Sequence, residues 1–215
     1  MADVSRETPV IEQEPVAAVE MLFGSRADLA RRYTAALAEH GEERGLIGPL
    51  ELPRLWTRHI LNCAAAAPLF NGRVGDVGSG AGLPGLVLAI ARPDVEWVLI
   101  ETMERRVTWL GEQVSALGLD NVEIVRTRAE EWGGAGTLDA VTARAVSALR
   151  TLVPITAPLV RDGGELILLK GANAAAEITA AEKVLRRFRL RDVRVETVGE
   201  SVLTEPTRVI RATVR

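Results

Sequence analysis

Four glycines, Gly78, Gly80, Gly82 and Gly85, fall within eight residues, in a stretch (74–85, VGDVGSGAGLPG) where an apolar run ends in Asp76. Glycine belongs where the backbone needs a positive φ or where a ligand must approach the main chain closely. A strand, a glycine turn and a helix in that order predict a cradle for a polar ligand. The first N–H groups of the following helix would then be free to meet that ligand. Downstream, three more polar residues sit where apolar runs end: Glu101, Glu130 and Arg144. Two carboxylates and a guanidinium around one turn could hold a nucleoside and orient a second reactant.

The turn reads in two frames. Gly80 to Gly85 fits GxGxxG, the dinucleotide fingerprint. Asp76-Val77-Gly78-Ser79-Gly80-Ala81-Gly82 instead places an acid two residues before GxGxG, which resembles the first motif of class I S-adenosylmethionine methyltransferases. A pyrophosphate would be repelled by Asp76, whereas the ammonium and sulfonium of S-adenosylmethionine are attracted by it. The second frame is preferred. It predicts that Glu101 accepts the ribose hydroxyls with its two oxygens, and that Ala129 and Glu130 address the adenine edge. For both acids the competing reading is a solvated carboxylate beside a helix start.

Arg144 follows the run 138–143 and would face the transferred methyl group. No Asn/Asp-Pro-Pro-aromatic motif for exocyclic amines is present, and the single cysteine, Cys63, lies far upstream rather than downstream. An arginine suits an acceptor that is already nucleophilic and needs orientation, such as a purine O6/N7 edge; an ordinary ion pair is the bland alternative. Lys170, at the end of another strand, is a second candidate cation.

These residues need a sheet to gather them. Strands are predicted at 73–77, 95–101, 122–126, 138–142 and 164–170, with helices near 83–92, 104–117, 147–158 and 173–186. That alternation is an α/β fold, a Rossmann-like, mostly parallel sheet closed by a C-terminal antiparallel hairpin at 187–197 and 206–214. Ligands should then lie beyond the carboxyl ends of the strands. Residues 1–15 read as a flexible acidic tail, 16–72 as an N-terminal helical extension and 73–215 as the methyltransferase domain. Within the extension, Ser25 with Asp28 looks like a variant capping box and Gly41 like a helix stop. His59, set among Leu55, Trp56, Ile60 and Leu61, reads as a packed, hydrogen-bonded histidine.

At 215 residues, with 47% hydrophobic content, the chain can bury a substantial core. No segment has the pattern of an export signal or a membrane span, so a cytoplasmic protein is expected. One cysteine and two distant histidines exclude an internal disulfide and argue against a metal site. Net charge is −3, but the first 20 residues hold five acids against one arginine, so the remainder is +1. Local basic faces remain open. The clearest run, 183–194, contains Arg186 and Arg187, and Arg126 and Arg128 lie nearer the turn. With Lys170 these offer phosphates a track.

In the order DVGSGAGLPG, ET-x-x-RR-x-x-WL (101–110), RAEE, TARAV around Arg144 and LLKG, with RHILN (58–62) upstream, the chain resembles the RsmG family, also called GidB. The resemblance covers about residues 16–215. It departs at Glu101-Thr102, where many members carry Asp-Ser. It implies a bacterial enzyme that methylates N7 of a guanosine in 16S small-subunit ribosomal RNA, with S-adenosylmethionine as cofactor. Its partner would be that RNA or the small subunit, and a monomer is expected. By position it assigns cofactor contacts to Gly78, Leu83, Ala129, Glu130 and Arg144, supported by Asp76, Ser79, Gly80 and Glu101. Arg144 is the candidate catalytic residue. A methyltransferase for a small molecule or protein is the main alternative, a dehydrogenase in the other glycine frame the next, and a non-enzymatic nucleotide-binding module the last.

Overall fold

The computed structural model describes residues 11–48 and 50–215, so expectations for residues 1–10 lie outside the described chain. Short apolar runs become strands and amphipathic ones helices. The strands are β1 (Arg73–Val77), β2 (Glu96–Glu101), β3 (Val122–Arg126), β4 (Leu138–Thr142), β5 (Val160–Lys170), β6 (Arg191–Val198) and β7 (Thr207–Thr213). They form one sheet in the order β3-β2-β1-β4-β5-β7-β6. β7 is antiparallel to both β5 and β6, and the other pairings are parallel. β5 starts four residues earlier than expected, because the chain already pairs at Val160 with Leu138, before a register shift leads to the pairing of Ala140 with Glu165.

Helices α1 (Val16–Phe23) and α2 (Ala27–His40) precede a π-helical segment, Leu55–Leu61, which runs into the short turn α3 (Asn62–Ala64). The later helices are α4 (Gly85–Ala91), α5 (Glu104–Leu117), α6 (Leu149–Thr156) and α7 (Ala174–Arg187). The Ser25–Asp28 capping box does not form. Ser25 is taken into a 3-10 turn, Gly24–Arg26, and Asp28 pairs with Arg31 at 2.8 Å. Gly41 does cap α2, its N–H bonding Leu37 O.

Each face of the sheet carries its own core. On one face, Val19, Tyr33, Leu37, Ile60 and Phe70 of the N-terminal helices share a cluster with Leu86 to Ile90 of α4 and with Trp97 and Trp109. Phe70 meets Trp97 edge-to-face at 5.3 Å. On the other face, α6 and α7 bury Leu149, Leu152, Val153, Ala181 and Leu185 against β4, β5 and β7. The chain therefore leaves β1 toward one edge and β4 toward the other. The crevice between their carboxyl ends is the switch point where α/β sheets place ligands.

Candidate active site

The glycine turn after β1 is tied down by its own chain. Gly78 and Ser79 N–H donate to Ile100 O, Gly82 and Leu83 N–H to Ser79 O, and Leu86 N–H to Gly82 O. Gly80 N–H donates to Glu101 Oε2 at 2.9 Å and Gly85 N–H to Asp76 Oδ2 at 3.0 Å. The N–H groups expected to be free for a ligand are therefore mostly engaged, because Asp76, Glu101 and carbonyls within the turn reach them first. Two glycines are required by geometry. A Cβ on Gly85 would lie 2.5 Å from Asp76 Oδ2, and one on Gly78, at φ +73°, would lie 2.9 Å from Val146 Cγ2.

Asp76 is fully buried. Its Oδ1 has no hydrogen-bond partner among the described residues, and neither has Thr142 Oγ1. The two residues are register partners on β1 and β4, so their side chains leave the same face of the sheet. Burial pushes the Asp76 carboxyl up to about 7, against the opposing pull of its hydrogen bonds. Two orphaned oxygens side by side, one of them on a carboxyl near neutrality, are a receptor for a cationic donor.

A cavity of about 490 Å³ begins one residue further along the chain, at Val77 and Gly78, and is lined also by Glu101, Ala129, Glu130, Arg144 and Val146. Its size fits a nucleoside-sized ligand. Glu101, 3% exposed, accepts from Thr102 N–H at 2.8 Å and Met103 N–H at 2.9 Å through Oε1, besides Gly80 through Oε2. The Thr102 hydroxyl also donates to Oε1, at 3.3 Å, so Oε1 is filled and the position left for a ligand hydroxyl is on Oε2, which accepts from Gly80 alone. Glu101 thus locks the turn as well as bordering the cavity.

Arg144 extends β4 by a bridge to Leu169 and reaches back to the N-terminal helices. Its guanidinium donates to Cys63 Sγ at 3.0 Å and to His59 Nδ1. A guanidinium has no acceptor, so His59 Nδ1 must accept and the ring proton must sit on Nε2. That Nε2–H meets Glu51 Oε2 at 2.5 Å. Burial first, then the Arg144 charge, lowers the His59 imidazole below its usual value of 6.5 and keeps it neutral, against the pull of Glu51. Burial raises the Cys63 thiol, so it stays a thiol. The next residue, Ala145, holds φ +55°, a left-handed conformation uncommon for alanine.

The comparisons with known proteins bear on this arrangement. The family model described as "rRNA small subunit methyltransferase G" (GidB) matches residues 26–205. The chain belongs to the GidB family. Ribosomal RNA small subunit methyltransferase G of Leifsonia xyli subsp. xyli is 66% identical over 97% of this chain and 100% of that protein. The protein of the same name from Clavibacter michiganensis subsp. michiganensis is 59% identical over 97% and 99%. Among solved structures, M. jannaschii TYW2 in complex with AdoMet superposes with a TM-score of 0.56 at 18% identity, covering 73% of this chain and 76% of that one. At that identity the likeness speaks for the fold, a class I methyltransferase sheet.

In this GidB chain Gly78, Glu101, Ala129, Glu130, Arg128 and Arg144 come together around one cavity. Asp76 and Ser79 lie behind it: the Ser79 hydroxyl, 1% exposed, donates to Asp76 O at 2.9 Å. Leu83 is half-buried and packs on the core beneath the turn. Arg126 is exposed and pairs with Glu104 at 3.1 Å. Lys170 is held by Glu177 and Ser147 O, both at 2.9 Å, and its side chain is 9% exposed. Arg186 and Arg187 end α7. That helix runs back from β5 to the start of β6, so they lie about 20 Å along its axis from the carboxyl edge.

Other residues that shape the site had escaped notice. Tyr33 Oη and Trp109 Nε1 both donate to Ala81 O at 2.8 Å, pinning the glycine turn from α2 and α5. Tyr33 belongs to no motif, and Trp109 enters only as part of the 101–110 segment. Thr127 and Ile155 also line the cavity and belong to no motif, and Arg106 enters it from the 101–110 segment without having been singled out. Among the described residues no group of His, Cys, Asp and Glu could hold a metal ion, and no helix is long and apolar enough to cross a membrane.

Proposed function

We propose that this chain transfers the methyl group of S-adenosylmethionine to N7 of one guanosine in 16S small-subunit ribosomal RNA. Residues 73–215 act as the catalytic unit and residues 16–72 as the helical extension that braces it. The observation that carries the reading is the place of Arg144. It lines the 490 Å³ cavity on one side and, on the other, a cleft of about 1420 Å³ bordered by the extension and the β6–β7 loop. A cofactor in the first and a nucleotide in the second would meet at its guanidinium. Work on ribosomal RNA puts the protein in the cytoplasm.

The residues present fit the cofactor. The orphaned Asp76 Oδ1 and Thr142 Oγ1 suit its cationic amino-acid end, and the spare acceptor of Glu101 suits a ribose hydroxyl. Ala129 and Glu130 stand where the adenine edge would come, with Gly78 leaving room for close approach. When bound, the cofactor supplies a methyl group already activated by a sulfonium. Guanine N7 carries a free lone pair and loses no proton on methylation, so the site needs no general base. Arg144 donates to the guanine O6 and leaves N7 open to the methyl group. His59 and Glu51 hold that guanidinium in place, and positioning supplies most of the acceleration.

The test is transfer of tritium from S-adenosylmethionine to small subunits, or their naked RNA, from a strain lacking the gene. Label in RNA is expected. Label only in a free metabolite or a protein, with the cofactor bound, would overturn the reading.

A further inference from the structure

The large cleft meets the cofactor cavity along Arg144, Ala145 and Val146, and its other walls come from three separate parts of the chain. One wall is the extension, through Arg54, Arg58 and Asn62. The second is the end of β5, and the third is the β6–β7 loop with Arg208 at the start of β7. These parts are fastened together: Thr207 Oγ1 donates to Asn62 O at 2.8 Å, so the loop is anchored on the extension. The cleft is therefore a built feature of the fold, and it exceeds the roughly 300–1,000 Å³ of an ordinary small-molecule pocket.

Its cations differ in how far they are spent. Arg54 is bound to Glu51 at 2.6 Å, and Lys170 to Glu177 at 2.9 Å. Arg144 is held by His59 and Cys63 through its Nη groups and keeps its remaining N–H donors for a base. Arg58 stands 3.8 Å from a Glu51 oxygen that His59 already engages at 2.5 Å, and its side chain is 56% exposed. Arg208 is exposed and makes no ion pair among the described residues; it faces Lys170 across the β5–β7 ladder. Two available guanidinium groups thus flank the passage that leads to Arg144. Glu200 and Glu205 line the loop side of the same cleft, so a phosphate backbone is drawn to the arginines and away from the loop.

We infer that this cleft is the RNA path: an unpaired segment of the substrate lies in it with its phosphates on Arg58 and Arg208 and its guanine against Arg144. The segment must be unpaired because N7 of an A-form duplex lies in a deep, narrow groove that side chains cannot enter. The face ending in Arg186 and Arg187, the strongest basic run of the sequence, lies at the opposite edge of the sheet and is not the path. This placement rests on the proposed RNA methyl transfer.

The experiment compares steady-state methylation of small-subunit substrate by the wild type, Arg58→Ser/Arg208→Ser and Arg186→Ser/Arg187→Ser, over a range of salt. Calorimetry with S-adenosylmethionine reports whether each variant keeps its cofactor site. For Arg58→Ser/Arg208→Ser, KM for RNA should rise about tenfold or more, with kcat and cofactor affinity within about threefold. The slope of log KM against log salt should fall by about 1.4, as expected for two lost contacts to a single strand. An unchanged KM and slope in that variant, or the loss appearing in Arg186→Ser/Arg187→Ser instead, would overturn the cleft as the path while leaving the methyl transfer standing. No transfer to any RNA by the wild type would overturn the functional reading and this inference with it.

Discussion

Replacing Asp76 by Asn should stabilise the protein without cofactor and weaken its hold on the cofactor. The carboxyl is 0% exposed, one oxygen accepts from Gly85 N–H at 3.0 Å, and the other has no partner among the described residues. Burial raises it from 3.8 to about 7. A carboxyl whose folded value exceeds its unfolded one favours the fold fully below about pH 4. That advantage is lost as pH rises toward 7. At about 1.4 kcal/mol per unit the ceiling is roughly 4 kcal/mol, and relaxation around a buried charge reduces it to about 1–3 kcal/mol. Asparagine keeps an acceptor for Gly85 and removes the charge, leaving an unpartnered neutral N–H as a smaller cost. At pH 8 the variant's melting temperature should therefore be higher by about 2–9 °C, with the gain vanishing near pH 4. S-adenosylmethionine should bind at least tenfold more weakly, because its cationic end loses a buried anion. Thermal unfolding at both pH values, with and without cofactor, reads all of this. A variant less stable than the wild type at pH 8, or one with unchanged cofactor affinity, would refute the reasoning.

Three further substitutions probe the same site. His59→Ala removes the acceptor that holds Arg144 and should lower kcat roughly 10–100-fold while leaving cofactor affinity within about threefold, measured by single-turnover methylation and calorimetry. Glu101→Gln can satisfy the N–H groups of Gly80, Thr102 and Met103 only in part. Stability should fall by about 1–3 kcal/mol and cofactor affinity by tenfold or more, read by denaturant titration and calorimetry. Gly85→Ala drives a methyl against Asp76 and Leu99 and should cost about 1–3 kcal/mol in the same titration, with cofactor binding weakened alongside.

Much of the scaffold was legible because the strands of a mostly parallel sheet are short apolar runs, each set off by glycine or polar residues. β1, β3 and β4 fall at 73–77, 122–126 and 138–142 as read from the sequence. Failures came where one local signal served two structures. Gly163 lies outside the strand read from the sequence yet within β5, and Ser25 and Asp28 have the spacing of a cap, yet Ser25 lies inside a 3-10 turn that ends at Arg26. The apolar pattern around His59 in the helical extension did not separate the π-helix at Leu55–Leu61 from an α-helix, since both bury one face. The candidate site could be placed from the sequence where its residues stand near strand ends: Glu101 ends β2, and Ala129 and Arg144 follow β3 and β4 by two or three residues. It could not be read where tertiary contact joins distant residues. Arg144 and His59 are 85 residues apart, and Tyr33 is 48 from Ala81. Charge density along the chain singles out Arg186 and Arg187 but does not carry their position at the end of α7, which topology decides.

The most direct measurement maps the modified atom. Small-subunit RNA from a strain lacking the gene is incubated with S-adenosylmethionine and either the wild type or Arg144→Ala, then cleaved chemically at N7-methylguanosine and read by primer extension. The result expected is one new stop, at a single guanosine, produced by the wild type and reduced at least a hundredfold with Arg144→Ala. Methyl transfer to another atom or to many guanosines, or an undiminished stop with Arg144→Ala, would contradict an Arg144-centred guanine-N7 site.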